Sequence, residues 1–350
     1  MSRNHTAGPV RSGSGIWLLK DGPLSFTEKN CRKAGAGTGL ARAAVFCHYC
    51  GRGFIIKGKM TRTVTLSILL LWLAGGLCPA DLKFVVVSDT NPEFLNQKDF
   101  SHFAKIIEQI NVLKPDLVIN LGDLIYGYGL RSTRPQWERY LEIIGRIEAP
   151  YYQIPGNHDI FNGRARQVYL EFFKKTYLSF DSGQCHFVLL DNLEDGVWGK
   201  IGPEQLAWLE EDLKRPSWDQ AFVFLHVPVW DMQARNVKLE WREFWFEKIH
   251  PLLLTGRVKA VFAGHNHRFG PTRIYDGLIY YIAGGGSPRL HKDFVRAGGS
   301  NFFLLVEVTE NGFRVKVVTE NRVISDLEAD ILKEIMAPHF YRPGEFKIQR

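Results

Sequence analysis

Five apolar runs in this chain each end in side chains able to bind metal, and that pattern constrains the fold more than any other feature. Phe84-Val85-Val86-Val87-Ser88 runs into Asp89, and Leu117-Val118-Ile119-Asn120-Leu121-Gly122 into Asp123. Tyr152-Gln153-Ile154-Pro155-Gly156 leads to Asn157, His158 and Asp159. Phe222-Val223-Phe224-Leu225 leads to His226, and Ala260-Val261-Phe262-Ala263-Gly264 to His265, Asn266 and His267. Near-continuous apolar runs suit strands covered on both faces. In open α/β sheets the crevice at the carboxyl ends of the strands is where ligands bind. Glycines before Asp123, Asn157 and His265 let the backbone turn sharply there.

Helical patterns separate the early runs. Phe100, Phe103, Ile106, Ile107, Ile110 and Leu113 share one face at spacings of three and four. Pro135 and Pro203 open two more amphipathic segments, reaching residues 147 and 213. Further strand patterns cover residues 186–190, 278–282, 302–308 and 313–318. The opening β-α-β-α-β order implies parallel strands with right-handed crossovers. The last three runs, joined without an evident helix, imply antiparallel pairing. Residues 81–350 therefore read as one α/β (α+β) domain, a four-layer sandwich of two mixed β-sheets flanked by helices.

The net charge of +7 does not signal nucleic-acid binding. Of 44 Lys/Arg and 37 Asp/Glu, residues 1–59 hold ten and two and residues 60–80 only Arg62, leaving 33 and 35 for the rest. A body without a basic excess lacks the electrostatic footprint of a DNA or RNA binder. Residues 60–80 read as a secretory signal: Met60, Arg62, the apolar run Leu66–Ala74 and a small-residue end at Cys78-Pro79-Ala80. Cleavage there predicts an exported chain with no membrane span in its mature part. Residues 1–59, rich in Gly, Ser, Ala and Arg, read as a leader outside the folded protein. Cys31, Cys47, His48 and Cys50 within it lack the paired spacing of a zinc module. Beyond Ala80 only Cys185 remains, preceding an apolar run, as a buried inert thiol would.

The ordered set of blocks, with Gly156-Asn157-His158-Asp159 and Gly264-His265-Asn266-His267 flanking His226, resembles the calcineurin-like metallophosphoesterases, which include purple acid phosphatases and many phosphodiesterases. The resemblance implies two metal ions, Fe, Mn or Zn, bridged by Asp123. Asp89 and His267 would complete one site; Asn157, His226 and His265 would complete the other. His158 would act on the substrate as a general acid or phosphate-oxygen donor. A metal-activated hydroxide would attack a phosphate mono- or diester in a small phosphorylated substrate. For Asp159 two readings stand: a carboxylate orienting His158, and a cap on the following helix.

The first block departs from the Asp-x-His of many members, since Asn91 stands at the histidine position. Asn91 is left as a ligand through its amide oxygen, a hydrogen-bonding neighbour, or neither. Purple acid phosphatases use a tyrosine three residues after the bridging aspartate, where this chain has Tyr126. They also carry Gly where Asn91 stands, so Tyr126 reads equally as a ligand and as a loop residue. Arg131, Arg134, Arg268 and Arg289 are each a phosphate contact or a solvated charge, and Trp198 and Trp230 each a stacking surface or a core cover. Alternatives to a general phosphoesterase are a nucleotide or cyclic-nucleotide phosphodiesterase and a non-catalytic binding protein on a degenerate scaffold, the latter favoured only by Asn91.

Overall fold

The computed structural model describes residues 43–46, 53–56 and 82–324, apart from 129–132, 215–217, 230–238, 271, 297, 311 and 321–322. The chain divides into two units, Met1–Gly75 and Gly76–Arg350. Of the first, only an antiparallel pair is described, β1 (Ala43–Phe46) with β2 (Gly53–Ile56). Residues 60–80, read above as a secretory signal, and Cys31, Cys47, His48, Cys50, Arg131 and Trp230 lie outside the described residues.

The second unit runs β3 (Leu82–Val87), α1 (Ser101–Leu113), β4 (Leu117–Asn120), α2 (Arg134–Ile144), β5 (Tyr151–Gln153) and α3 (Gly163–Phe173). It continues with β6 (Leu178–Ser182), β7 (Cys185–Leu189), α4 (Pro203–Asp212) and β8 (Gln220–Leu225). Next come α5 (Leu239–Phe244), a π turn at Trp245–Ile249, α6 (His250–Thr255), β9 (Val258–Ala263), β10 (Arg273–Tyr275) and β11 (Leu278–Ile282). The chain closes with α7 (Lys292–Arg296), β12 (Phe302–Thr309), β13 (Gly312–Thr319) and β14 (Val323–Ile324).

One sheet has the order β14-β13-β12-β3-β4-β5, the other β10-β11-β9-β8-β7-β6. Strands β3, β4 and β5 are parallel, as are β7, β8, β9 and β11; β12 to β14, β6 and β10 pair antiparallel. Both sheets are thus mixed. The expected antiparallel run of the last three strands holds only for β12 with β13. Strand β11 instead lies parallel to β9 in the other sheet, and the short α7, too small to show a helical period, carries the chain across.

Alternation along each strand builds the four layers. Phe84 and Val86 face the opposite sheet, where Phe187, Phe222, Phe224 and Phe262 surround the Phe84 ring at centroid distances of 5.2–6.3 Å. Val85 and Val87 face outward onto Phe103, Ile107 and Tyr140 of α1 and α2. On the far side Val188, Val223 and Val261 meet Leu209 of α4 and Leu253 of α6. Fully burying each such side chain contributes about 1.5–3 kcal/mol, so both strand faces hold the sandwich together. Cys185 lies in the inter-sheet core, where burial raises its thiol to about 11, the inert state expected. Among the described residues no helix is long and apolar enough to cross a membrane.

Candidate metal centre

The loops leaving β3, β4, β5, β8 and β9 converge at one end of the sandwich, and four of their residues hold strained backbone. Asp89, Asp123, His265 and His267 have φ of 59°, 54°, 68° and 42°. Non-glycine residues rarely adopt positive φ, and such strain gathers at functional sites. Backbone bonds tie the loops together: Asp89 N donates to Gly122 O at 2.9 Å, and Asn91 N to Asp123 O at 2.9 Å. A Cβ at Gly156 would strike the backbone nitrogen and Oδ1 of Asp123, so only glycine lets β5 deliver Asn157 beside that carboxylate.

Two donor groups result. Ligand atoms of Asp123, His226 and His265 lie within 4.8 Å of one another, and so do those of Asp89, Asp123 and His267. Asp123 belongs to both groups. The histidines are pre-oriented. Backbone carbonyls can only accept, so His226 Nδ1 donates to Leu121 O (2.8 Å) and His267 Nδ1 to Arg289 O (2.8 Å). Each Nε2 is left facing the centre, 3.3 Å from Asp123 Oδ1 for His226 and 3.4 Å from Asp89 Oδ1 for His267. This fixing of the tautomer from outside is the usual support of a metal-binding imidazole. Asn157 is oriented likewise. Its Nδ2 donates to Tyr128 Oη (3.1 Å), which turns Oδ1 toward His226 Nε2 (3.0 Å) and the centre.

Charge is concentrated there. Burial alone would raise the carboxyls of Asp89 and Asp123; His267 beside the first, and His226 and His158 beside the second, hold both below the usual range. Burial also opposes charge on His226 and His267, yet Asp123 and Asp89 push each up to about 9. Burial together with His226 pushes His265 down to about 4. Two buried carboxylates that recruit protons onto neighbouring imidazoles fit a cation: metal binding would displace those protons and take their charge. Carboxylate, imidazole and amide donors suit Mn, Fe or Zn better than Mg or Ca.

His158 belongs to neither donor group. Its Nδ1 donates to Tyr126 O at 2.5 Å, and its Nε2 lies 3.9 Å from Asp123 Oδ2. The ring packs edge-on against Tyr128 (4.4 Å) and Tyr126 (5.4 Å). Both readings of Asp159 are therefore corrected. Its carboxylate accepts from Gly156 N (2.7 Å), Leu124 N (2.9 Å) and Ile125 N (3.0 Å), pinning two loops rather than orienting His158. The following helix is capped by Asn162, whose side chain accepts from Ala165 N. Sequence adjacency misled because the turn at 156–159, with Asp159 N bonded to Gly156 O, sends successive side chains in different directions. Burial, with Asp123 close by, pushes the Asp159 carboxyl up to about 8.

Asn91 is buried beside the centre, its backbone nitrogen held by Asp123 O. Arg268 is 2% exposed, so it is no solvated charge. Arg134 pairs with Glu171 away from the cleft. Trp198 packs on the α1–α2 core, as its core-cover reading has it, and its ring stands edge-on to His265 at 4.5 Å. Asp123, Asn157, His158 and the two block histidines open onto a cleft of about 660 Å³, also lined by Tyr128, Trp198, residues 289–293 and Arg296. Sequence reasoning missed Tyr128 and, apart from Arg289, this last segment. The Gly-x-Gly spacing of Gly127-Tyr128-Gly129 was the available signal for the first.

The family model described as calcineurin-like phosphoesterase matches residues 82–269, more than half of the chain and all of the strand ends described. The chain belongs to that family. Metal-dependent hydrolysis of phosphoric esters is the chemistry of that family and of this phosphoesterase. It is 24% identical over 305 residues to human tartrate-resistant acid phosphatase type 5, covering 75% of this chain and 92% of the relative. It is 26% identical over 199 residues to a probable glycerophosphodiester phosphodiesterase of Arcobacter nitrofigilis, covering 55% and 70%. Its fold matches the purple acid phosphatase PPD1 of yellow lupin, Lupinus luteus, with a TM-score of 0.53 at 17% identity, covering 70% of this chain and 53% of the lupin enzyme. The phosphoesterase thus spans about half the length of the lupin protein.

Proposed function

We propose that this phosphoesterase is an exported enzyme with a dinuclear metal centre that hydrolyses phosphate mono- or diesters. The observation carrying this is the Asp123 carboxylate, shared by two donor groups that otherwise draw on different loops. In this reading Asp123 would serve both ions, with Asp89 and His267 holding one and Asn157, His226 and His265 the other. Tyr126 and Asn91 are the further donors available to the Asp89 site. Metal ions held there supply Lewis-acid stabilisation of phosphoryl charge and lower the pKa of an attacking water.

The chain's own groups do the rest. His158 stands in the cleft wall with Nδ1 engaged by the Tyr126 carbonyl, so Nε2 is the atom that gives up a proton to the departing alkoxide. Tyr128 holds the Asn157 amide and the His158 ring in one arrangement. Asp159 fixes the two loops that carry Asp123 and Asn157. Such preorganisation spares reorganisation during the reaction. Export follows from the reading of residues 60–80 as a cleaved signal.

The test is hydrolysis of one chromogenic monoester and one diester by purified protein, stripped of metal and then reloaded with Fe, Mn or Zn. Activity restored by metal on either ester supports the reading; none with any metal overturns it. N-terminal sequencing of the secreted protein should begin at Asp81, and retained residues 1–59 would contradict the leader reading.

A further inference from the structure

We infer that Arg289, His291 and Lys292 form a subsite for a second anionic group on the substrate, so that the alcohol part of the ester carries its own phosphate or carboxylate. This rests on the phosphoesterase reading and concerns which esters the cleft selects.

The cleft exceeds the needs of a phosphoryl group, and one wall is the segment from Arg289 to Arg296. That wall is fixed to the centre. His267 Nδ1 donates to Arg289 O, and His291 N donates to His267 O at 2.8 Å. Upstream, Arg289 N donates to Ser287 Oγ (3.0 Å), and Asn301 Nδ2 donates to Ser287 O (2.6 Å). The wall therefore keeps a set distance from a residue of the metal centre.

Its charge runs against that of the body. Three cations, Arg289, Lys292 and Arg296, and one imidazole, His291, face two carboxylates. Glu93 lies 3.7 Å from Arg289 Nε, while Asp293 lies 3.2 Å from Arg296 Nη1 and 4.0 Å from His291 Nδ1. Lys292 has no carboxylate partner among the described residues, and it is exposed on the cleft wall. Folding thus places an uncompensated cation on the cleft that takes the phosphoryl group. Trp198, also on the cleft lining, offers an apolar ring against which a short carbon spacer can lie. Phosphate and carboxylate share the chemistry that would be recognised, and the experiment separates them.

Metal-loaded enzyme is assayed on matched alkyl phosphate monoesters and diesters of increasing chain length whose far end is a hydroxyl, a carboxylate or a phosphate. At the best length, an anionic tail should raise kcat/KM ~10-fold over the hydroxyl tail, chiefly through KM, as expected for one partly screened charge pair. Lys292→Ala should remove most of that preference and Lys292→Arg keep it, and added salt should shrink it in the parent enzyme. Preference for the phosphate tail over the carboxylate, or the reverse, identifies the group. Hydrolysis with no preference for an anionic tail, or a preference indifferent to Lys292→Ala, overturns the subsite alone. Hydrolysis of none of the esters overturns it together with the phosphoesterase reading.

Discussion

His158 Nδ1 lies 2.5 Å from the backbone carbonyl oxygen of Tyr126, so the proton on that nitrogen is committed whatever the charge of the ring. Only Nε2 is left for chemistry. Because His158 stands outside both donor groups, His158→Ala should retain metal yet slow hydrolysis. The loss should reach ~10²-fold for alkyl esters and be much smaller for nitrophenyl esters, whose leaving group needs no proton. Rates across a leaving-group series with metal content measured in parallel check this; metal lost with the ring would make His158 a ligand.

Asp123→Asn replaces the shared carboxylate by a neutral amide. Activity should fall by at least ~10²-fold, with bound metal reduced at both sites. Near-normal turnover with full metal content would remove Asp123 from the bridging position.

Tyr128 acts on the centre through another residue. Its hydroxyl accepts the Asn157 Nδ2 proton, so Tyr128→Phe frees the amide to rotate. Metal affinity should drop about 10-fold at one site and little at the other, the usual cost of losing a ligand's outer partner. Competition with a metal-sensing dye reads this directly, and unchanged affinity at both sites would refute it.

Tyr126 and Asn91 are separated by colour. A ferric phenolate absorbs visible light by charge transfer, and an amide ligand does not. Iron-loaded, oxidised protein should be coloured and Tyr126→Phe colourless if the phenol binds. Active iron protein without colour assigns the position to Asn91 or water.

Away from the centre, His186 is clasped by two carboxylates, with Nδ1 2.6 Å from Asp181 Oδ1 and Nε2 2.7 Å from Asp212 Oδ2, and its ring stacked on Trp218. Burial opposes its charge, but Asp212 and Asp181 raise its pKa above the ordinary 6.5. Its stabilising contribution is therefore complete below pH ~6.5 and lost as pH rises through the elevated folded value. Melting temperatures should fall with rising pH in the parent protein and show a flatter profile in His186→Gln. Parallel profiles would mean that the imidazolium contributes nothing.

Four of the five strand ends were legible because each joins a largely buried apolar run to a polar residue, two signals that agree; β5 is only half-buried and was marked by Pro155-Gly156-Asn157-His158. The edge strands β6 and β10 were not. Leu178–Ser182 and Arg273–Tyr275 are short and partly exposed, so they lack the apolar density that marks the central strands. Tyr128 and Lys292 escaped because their roles depend on which loops meet, and a single chain does not announce this. Asp159 was conspicuous in sequence but acts through backbone amides of Leu124 and Ile125, more than thirty residues upstream.

Metal stoichiometry followed together with activity tests the shared-carboxylate centre most directly. Stripped protein is titrated with Mn, Fe or Zn while bound metal and hydrolysis of a chromogenic phosphate ester are measured at each step. Two ions bound per chain, with hydrolysis appearing as the pair fills and lost again on chelation, is the expected result. Saturation at a single ion, or hydrolysis undiminished in metal-free protein, would contradict it.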